Sequence, residues 1–174
     1  MAILDILLYP DERLRQVAEP VPEINDSVRQ LLDDMAETMY RAPGIGLAAT
    51  QVGRNLRVIT VDVGPDDDDG SPGVLYQLVN PEIVHEAGRV ESEEGCLSLP
   101  DIRDRVRRSA EIVVNARDRD GKPVTIEASG LLAICLQHEI DHLNGVLFID
   151  HISKLKRDMV VRKFTKLAKQ RVTA

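Results

Sequence analysis

The pattern of apolar and polar positions divides the chain into helices and short strands. After potential capping residues at 25–27, apolar side chains recur every three or four positions from Val28 to Met39, which predicts an amphipathic helix that ends near Arg41. Short apolar or alternating segments bounded by turn residues predict strands, and these lie at 56–63, 74–79, 82–85, 111–117 and 123–128. The first ten residues are also apolar and indicate a further strand-like segment.

Residues 129–145 include a nearly all-apolar run at 131–136 and predict a buried helix. Ser129 is a residue type that caps helix N-termini, and Asn144 and Gly145 suit a left-handed C-terminal cap. The first two turns between these ends are almost entirely apolar, and such turns have to be covered on all sides. We therefore predict an α+β fold in which antiparallel strands pack around a buried central helix, followed by an amphipathic C-terminal helix.

Length and composition limit the kind of protein this is. With 174 residues, 43% of them hydrophobic, the chain is long enough for one sizeable core, and we expect a single domain over 1–174. Its two cysteines do not indicate a disulfide framework, and no apolar run reaches membrane-spanning length. The N-terminus lacks the basic region of a secretory signal. These features favour a cytoplasmic protein without a membrane partner.

Charge is distributed unevenly along the sequence. Residues 153–174 contain eight Lys or Arg and one Asp, so the predicted C-terminal helix carries +7. Since the whole chain carries −7, residues 1–152 carry −14. A body of this charge is poorly suited to DNA or another polyanion, and only the basic helix could bind one.

The buried helix contains an HExxH motif. His138 and His142 are four residues apart, so they lie about 40° apart around the helix and about 6 Å apart along it. Two imidazoles in this arrangement can bind one divalent metal, and the carboxylate of Glu139 is placed to handle the protons of a bound water. Two chance histidines are the alternative, but burying such titratable groups without partners is costly.

A third metal ligand is less easily identified. HExxH sites that use a later histidine or glutamate are excluded, because position 148 is Phe and no Glu follows the motif. Cys135 lies on the histidine face but is too far back along the helix to reach the metal, so it should line a hollow one turn away. Cys96, in the segment 93–100, and Asp150 remain, and Cys96 is the better candidate.

Two loop-like segments complete the description. Residues 44–53, GIGLAATQVG, combine glycines with small side chains, so the backbone can come close to another chain or a ligand. A tight turn packed on the core is the alternative. Residues 64–73 contain four consecutive aspartates and lack the ligand spacing of a calcium loop, so they predict a solvated loop.

Three motifs in this order resemble the peptide deformylase family, in its bacterial form with a helical C-terminus. They are GIGLAATQVG at 44–53, EGCLSLP at 94–100 and QHEIDH at 137–142, and the similarity extends over nearly the whole chain. The resemblance implies a hydrolase that removes the formyl group from N-formylmethionyl nascent peptides. A water molecule bound to the metal would attack the formyl carbon, and formate would be released.

The resemblance also implies roles for individual residues. The metal ligands would be Cys96, His138 and His142, with Glu139 as general base and acid. The oxyanion would be stabilised by the side chain of Gln51 and the backbone N–H of Leu97. Main-chain contacts to an extended substrate would come from Ile45, Gly46 and Gly95. The pocket for the methionine side chain would be formed by Leu131, Ile134 and Cys135.

The implied cofactor is one divalent metal, Fe²⁺ in the cell, with Zn²⁺, Ni²⁺ or Co²⁺ able to occupy the purified protein. The implied partners are formylmethionyl peptides and, through the basic C-terminal helix, the ribosome, and we expect a monomer. Three other interpretations fit parts of the sequence: a metallopeptidase, a structural metal protein, and a binding module that acts through its basic helix.

Overall fold

The computed structural model describes residues 2–65 and 73–173. Within these ranges the α-helices are α1 (Asp26–Arg41), α2 (Gly130–Leu143) and α3 (Lys154–Thr173). Single 3-10 turns occur at Glu12–Arg15, Ala49–Val52 and Phe148–His151. The strands are β1 (Gly46–Ala48), β2 (Val58–Val61), β3 (Tyr76–Ala87), β4 (Val90–Cys96), β5 (Leu99–Arg108), β6 (Glu111–Arg117) and β7 (Pro123–Ser129). The predicted α+β fold is confirmed.

The strands form two separate antiparallel sheets. Five of them are arranged in the order β1-β2-β3-β6-β7, so β1 lies at one edge of the larger sheet. The other two, β4 and β5, pair only with each other within the described ranges. Their register places Gly95 opposite Arg103, and it shifts between Gly95 and Cys96, where the hairpin turns. Within the segment 44–53, Gly46–Ala48 thus form an edge strand, and a 3-10 turn follows at Ala49–Val52.

Helix α2 packs against the larger sheet as the sequence predicts. Leu136 and Leu143 are completely buried in a cluster with Ile59 and Val114 from the sheet. Ser129 is the N-terminal cap residue, although its side chain makes no capping hydrogen bond. Leu131 was expected to be buried but is 52% exposed, because it lies at the rim of a cavity.

Helix α1 covers a second part of the core. It begins where Asn25 Oδ1 accepts a hydrogen bond from the backbone N–H of Val28 (3.1 Å), and it ends at Arg41 as predicted. Its apolar stripe, which includes Leu32, Met35 and Met39, is fully buried. The backbone N–H of Gly44, in the loop before β1, donates to the carbonyl of Met39 at 2.7 Å and so connects this loop to α1.

Several strand predictions need correction. Residues 2–8 form no regular strand, and the predicted strands 74–79 and 82–85 are one strand, β3, with an irregular register between Val79 and Glu82. Asn80 takes a positive φ of 53° at this irregularity, a conformation that Asn tolerates better than most residues. Strands β1, β4 and β5 were not predicted. The central part of the Asp-rich segment, 66–72, lies outside the described residues.

Helix α3 packs on the smaller sheet. Phe164 and Val160 are buried in a cluster with Leu99 and Val106 of β5, and the rings of Tyr9 and Phe164 meet edge to face with centroids 6.0 Å apart. Most of the basic side chains of α3 are exposed. In the described ranges, the helices are too short or too polar to cross a bilayer.

Candidate metal centre and active site

Helix α2 and strand β4 bring three potential metal ligands together. His138 and His142 are buried on one face of α2, and their Nε2 atoms are 3.2 Å apart. Cys96 is the last residue of β4, and its Sγ lies 3.4 Å from Nε2 of His142. One ligand atom from each residue lies within 4.8 Å of the other two. Cys96 lies 42 positions before His138 in the sequence, so the fold brings it to the two histidines.

These distances fit one divalent metal. Metal–nitrogen bonds of about 2.0–2.1 Å and metal–sulfur bonds of about 2.3 Å in a tetrahedral site place the ligand atoms about 3.3–3.6 Å apart. Burial lowers the pKa of His142 well below its ordinary value. The neutral imidazole is the form that binds a metal. Three ligands leave a fourth position for water or substrate.

A buried ion pair orients the first histidine. Glu94 Oε1 lies 2.9 Å from His138 Nδ1, so the Nδ1–H donates to this carboxylate and Nε2 is left for a metal. Arg108 donates to both oxygens of Glu94, from Nε at 2.8 Å and from Nη2 at 2.9 Å. Burial raises the pKa of Glu94, but the hydrogen bonds from Arg108 and His138 outweigh it and the pKa falls to about 2.

Arg108 also connects strand β5 to helix α2 at Asp141, about one turn after His138. Its Nη1 donates to Asp141 Oδ2 at 2.5 Å, and His151 Nε2 lies 2.9 Å from the same oxygen. Arg108 is only 5% exposed, so its charge depends on Glu94 and Asp141 for compensation. These supporting residues were not found by sequence reasoning. Glu94 lies inside a motif and could have been suspected, whereas a lone Arg108 among exposed arginines gives no signal.

Glu139 lies beside the ligand group and is buried. It is 4% exposed, and its Oε1 has no hydrogen-bond partner among the described residues. Burial raises the pKa of Glu139 to about 7. A carboxyl group with this pKa can accept and return a proton near neutral pH. A Cβ atom added at Gly46 would contact Glu139 Oε2 and lie 2.8 Å from Cys135 Sγ, so β1 can approach only as glycine.

Gln51 faces the same centre in a fixed orientation. Its Oε1 accepts a hydrogen bond from the backbone N–H of Ala48 (3.0 Å), which turns the amide nitrogen toward the hairpin. That nitrogen donates to Ser98 Oγ at 3.1 Å and lies 3.6 Å from Cys96 Sγ. The side chain is therefore an oriented donor beside the candidate ligand group.

A cavity of about 1010 Å³ opens above these groups. Glu139 and His138 form part of its floor, and β1 and β4 form two of its sides. It is lined by all the residues that the sequence assigned to substrate binding, namely Ile45, Gly46, Gly95, Leu131, Ile134 and Cys135, and by Leu97.

Asp150 and Cys135, which were also considered as third ligands, are not part of the group formed by Cys96, His138 and His142. Asp150 is paired with Arg15 (2.6 Å) and accepts a hydrogen bond from the backbone N–H of Leu147, so its carboxylate is otherwise engaged. The Cys135 thiol donates to the carbonyl of Ile45 at 3.6 Å. Burial and the nearby Glu139 charge raise the pKa of Cys135 well above its ordinary value, so it remains a neutral thiol.

An HExxH helix with a buried glutamate that meets a cysteine thiol in an open cavity is suited to metal-dependent hydrolysis. Comparison with known proteins defines the family. The model of the polypeptide deformylase family matches residues 3–158. A peptide deformylase from Brucella suis is 53% identical over 174 residues, covering 99% of this chain and 98% of the relative.

Solved structures agree with this comparison. A peptide deformylase from Legionella pneumophila superposes with a TM-score of 0.87 at 48% identity, covering 99% of both chains. A class I type b peptide deformylase from Acinetobacter baumannii, with Met-Ala-Ser bound, has a TM-score of 0.81 at 35% identity and covers 87% of this chain and 99% of its own. The chain therefore belongs to the polypeptide deformylase family and is an enzyme of the hydrolase class.

Proposed function

We propose that this chain removes the formyl group from N-formylmethionyl nascent peptides and releases formate, acting as one metal-dependent domain over residues 1–174. The observation that carries the proposal is the position of Glu139, a buried carboxylate beside the group of Cys96, His138 and His142 at the floor of the cavity. Family membership supports the substrate class. The Acinetobacter relative binds Met-Ala-Ser, a peptide with a free N-terminal methionine, which is the form of the product.

The metal would be held by Cys96, His138 and His142. When bound, it would supply a Lewis acid that lowers the pKa of a water molecule and polarises the formyl oxygen. A ligand set of one thiolate and two imidazoles is compatible with Fe²⁺, Zn²⁺, Ni²⁺ and Co²⁺. We propose Fe²⁺ for the protein in the cell, as the resemblance implies.

The protein groups supply proton transfer and charge stabilisation. Glu139 takes a proton from the water that attacks the formyl carbon and then donates it to the departing methionine nitrogen. The Gln51 amide and the backbone N–H of Leu97 donate to the oxygen that becomes negative during the attack. Since Gln51 is already turned toward the centre, little reorganisation is required as the charge develops.

The substrate would bind as an added strand between the two sheets. Strand β1 is the edge of the larger sheet, and β4 pairs only with β5 in the described ranges. The main chain of Ile45, Gly46 and Gly95 can therefore hydrogen bond to an extended peptide. The methionine side chain would enter the apolar end of the cavity, which is lined by Leu131, Ile134 and Cys135.

One assay tests this function directly. Formyl-Met-Ala-Ser should yield formate and Met-Ala-Ser, while acetyl-Met-Ala-Ser and unformylated Met-Ala-Ser should remain intact. Removal of metal with a chelator should abolish the reaction, and restoring a divalent metal should recover it. Cleavage of the Met–Ala bond would instead identify a metallopeptidase, and formate release without metal would contradict the proposed mechanism.

We also propose that helix α3 docks the enzyme on the ribosome. The helix packs its apolar side on β5 and presents basic residues to solvent, including Arg162, Lys163 and Lys166. Leu155 and Met159 are also exposed on this helix, at 73% and 61%. Phosphates of ribosomal RNA, or an acidic ribosomal surface, would complement its charge while the acidic body is repelled.

Substitution tests this docking better than truncation, because truncation would remove buried Phe164 from the core. The triple variant Arg162→Gln, Lys163→Gln and Lys166→Gln should lose co-sedimentation with ribosomes at low salt and keep its activity on a short peptide. The matched control neutralises three exposed basic residues outside α3, namely Arg41, Arg54 and Lys122. Equal losses in both triple variants, or no loss in either, would refute docking through α3. The cytoplasmic location and the monomeric state remain predictions.

A further inference from the structure

Ser98 is a completely buried residue that lies between the two groups proposed to stabilise the oxyanion. It directly follows Leu97, whose backbone N–H is one of these donors, and its Oγ accepts a hydrogen bond at 3.1 Å from Nε2 of Gln51, the other donor. Ser98 is not among the described residues that line the cavity. Any part that it has in the reaction is therefore exerted through the two donors.

The side-chain amide of Gln51 has one N–H that is not committed to a strong acceptor. Its Oε1 accepts from the backbone N–H of Ala48 at 3.0 Å, and because an N–H bonds only to the oxygen, this contact fixes which end of the amide is the nitrogen. The nitrogen carries two N–H groups, of which one donates to Ser98 Oγ. The other faces Cys96 Sγ at 3.6 Å. Since sulfur is a weak acceptor, this second N–H is available to an oxygen that becomes negative.

The main chain of Ser98 is held independently of its hydroxyl. The backbone N–H of Tyr9 donates to the carbonyl of Ser98 at 2.8 Å, and the backbone N–H of Leu7 donates to the carbonyl of Gln51 at 2.7 Å. The N-terminal segment thus fixes the backbone at both residues. Loss of the Ser98 hydroxyl should therefore leave the N–H of Leu97 in place and affect only the side chain of Gln51.

We propose that Ser98 is a positioning residue for the reaction, because its hydroxyl binds one N–H of Gln51 and thereby directs the other toward the formyl oxygen. This inference rests on the proposed deformylase function. Gln51 is only 1% exposed, so without the hydroxyl one N–H would be buried without an acceptor, which is costly. The amide would then turn toward Cys96 Sγ, the other acceptor within reach among the described residues.

Ser98→Ala tests this role with formyl-Met-Ala-Ser as substrate. The variant should lower kcat about 5- to 20-fold, the cost of leaving one buried donor without its partner. KM should stay within about twofold of the wild type, because the lost orientation matters only in the transition state. Metal content should not change, since the three ligands are untouched.

Ser109→Ala is the matched control. Ser109 is also buried, at 1% exposed, but its Oγ donates to Glu86 at 3.0 Å and accepts from Arg89 at 2.9 Å rather than contacting Gln51. This variant removes an equally buried hydroxyl and should keep the wild-type kcat. An unchanged kcat in Ser98→Ala, or an equal decrease in both variants, would overturn the inference.

A double-mutant cycle with Gln51→Met separates positioning from a general structural role. Gln51→Met alone should lower kcat about 10²- to 10³-fold, the usual cost of losing an oxyanion donor. Adding Ser98→Ala should then change kcat by less than about twofold, because no amide remains to be oriented. A decrease by Ser98→Ala that is as large in the Gln51→Met background as in the wild type would contradict the inference.

A crystal structure of Ser98→Ala provides a readout that does not depend on activity. The Gln51 amide should be turned relative to the wild type, while Leu97 and the bond from Tyr9 to the residue 98 carbonyl stay in place. An unmoved Gln51 would overturn the inference. If the wild type releases no formate, the proposed function fails and this inference fails with it. Wild-type formate release with an unaffected Ser98→Ala variant would contradict only the inference.

Discussion

Helix α2 and the β4–β5 hairpin supply the two halves of the candidate metal centre, and they are built in different ways. The helix is stabilised by apolar packing against the larger sheet, where Leu136 and Leu143 are completely buried. The hairpin is rich in charge and is fixed on one side by a buried ion pair and on the other by α3. The comparison indicates that the histidines are positioned by the core, whereas Cys96 is positioned by electrostatics and by the C-terminal helix.

The largest expected effect is a loss of turnover when Glu139 of helix α2 is replaced. Glu139→Gln should reduce kcat about 10²- to 10⁴-fold, the usual cost of losing a general base. Metal content should stay near the wild-type value, because the three ligands are untouched. The control is Glu127→Gln on β7, an exposed position where the same change should have no effect on turnover. High turnover in metal-loaded Glu139→Gln would remove this residue from the mechanism.

The next prediction concerns the buried ion pairs of Arg108, which connect the hairpin to helix α2. Arg108→Met leaves the carboxylates of Glu94 and Asp141 without their buried partner, and this should cost about 3–5 kcal/mol in the free energy of unfolding. Urea denaturation at neutral pH measures this free energy. Arg107→Met removes an exposed partner of Glu91, with side chains 70% and 50% exposed, and should cost less than about 1 kcal/mol. Similar costs for both variants would contradict the role given to the buried pair.

The sequence predicted the helix half better than the hairpin half. An apolar segment with HExxH specifies both the burial of α2 and the position of its ligands. Strand β4 gave no such signal, because most of its side chains are polar and its buried residue, Glu94, is charged. Its strand structure depends on pairing with β5 and on Arg108, 14 residues away, and a local pattern cannot reveal such a partner. Cys96 was found through its motif and by elimination, without a prediction of the strand that holds it.

The smallest expected effect is a pH dependence at Asp150. Burial raises the pKa of this carboxyl, but hydrogen bonds from Arg15 and from the backbone of Leu147 outweigh it and lower the pKa below 3.8. The ionised group therefore stabilises the folded state above this pH, and its contribution is lost as the pH falls through the lowered value. The difference in unfolding free energy between wild type and Asp150→Asn should shrink below about pH 4.

Asp150→Asn also tests the assignment of the metal ligands. The variant should keep its metal and its turnover at neutral pH, since Asp150 is bound to Arg15 and lies outside the ligand group. A loss of metal in this variant would indicate that Asp150 is a metal ligand. A stability difference that grows at acid pH would contradict the ion pair.

X-ray absorption at the edge of the bound metal tests most directly whether the two halves meet at one ion. We expect one sulfur and two imidazole nitrogen ligands in the wild type. The sulfur contribution should be lost in Cys96→Ser and retained in Cys135→Ser, because the Cys135 thiol is neutral and bonded to the Ile45 carbonyl. A metal without a sulfur ligand in the wild type, or a sulfur contribution that persists in Cys96→Ser, would contradict the joining of helix and hairpin at a single metal.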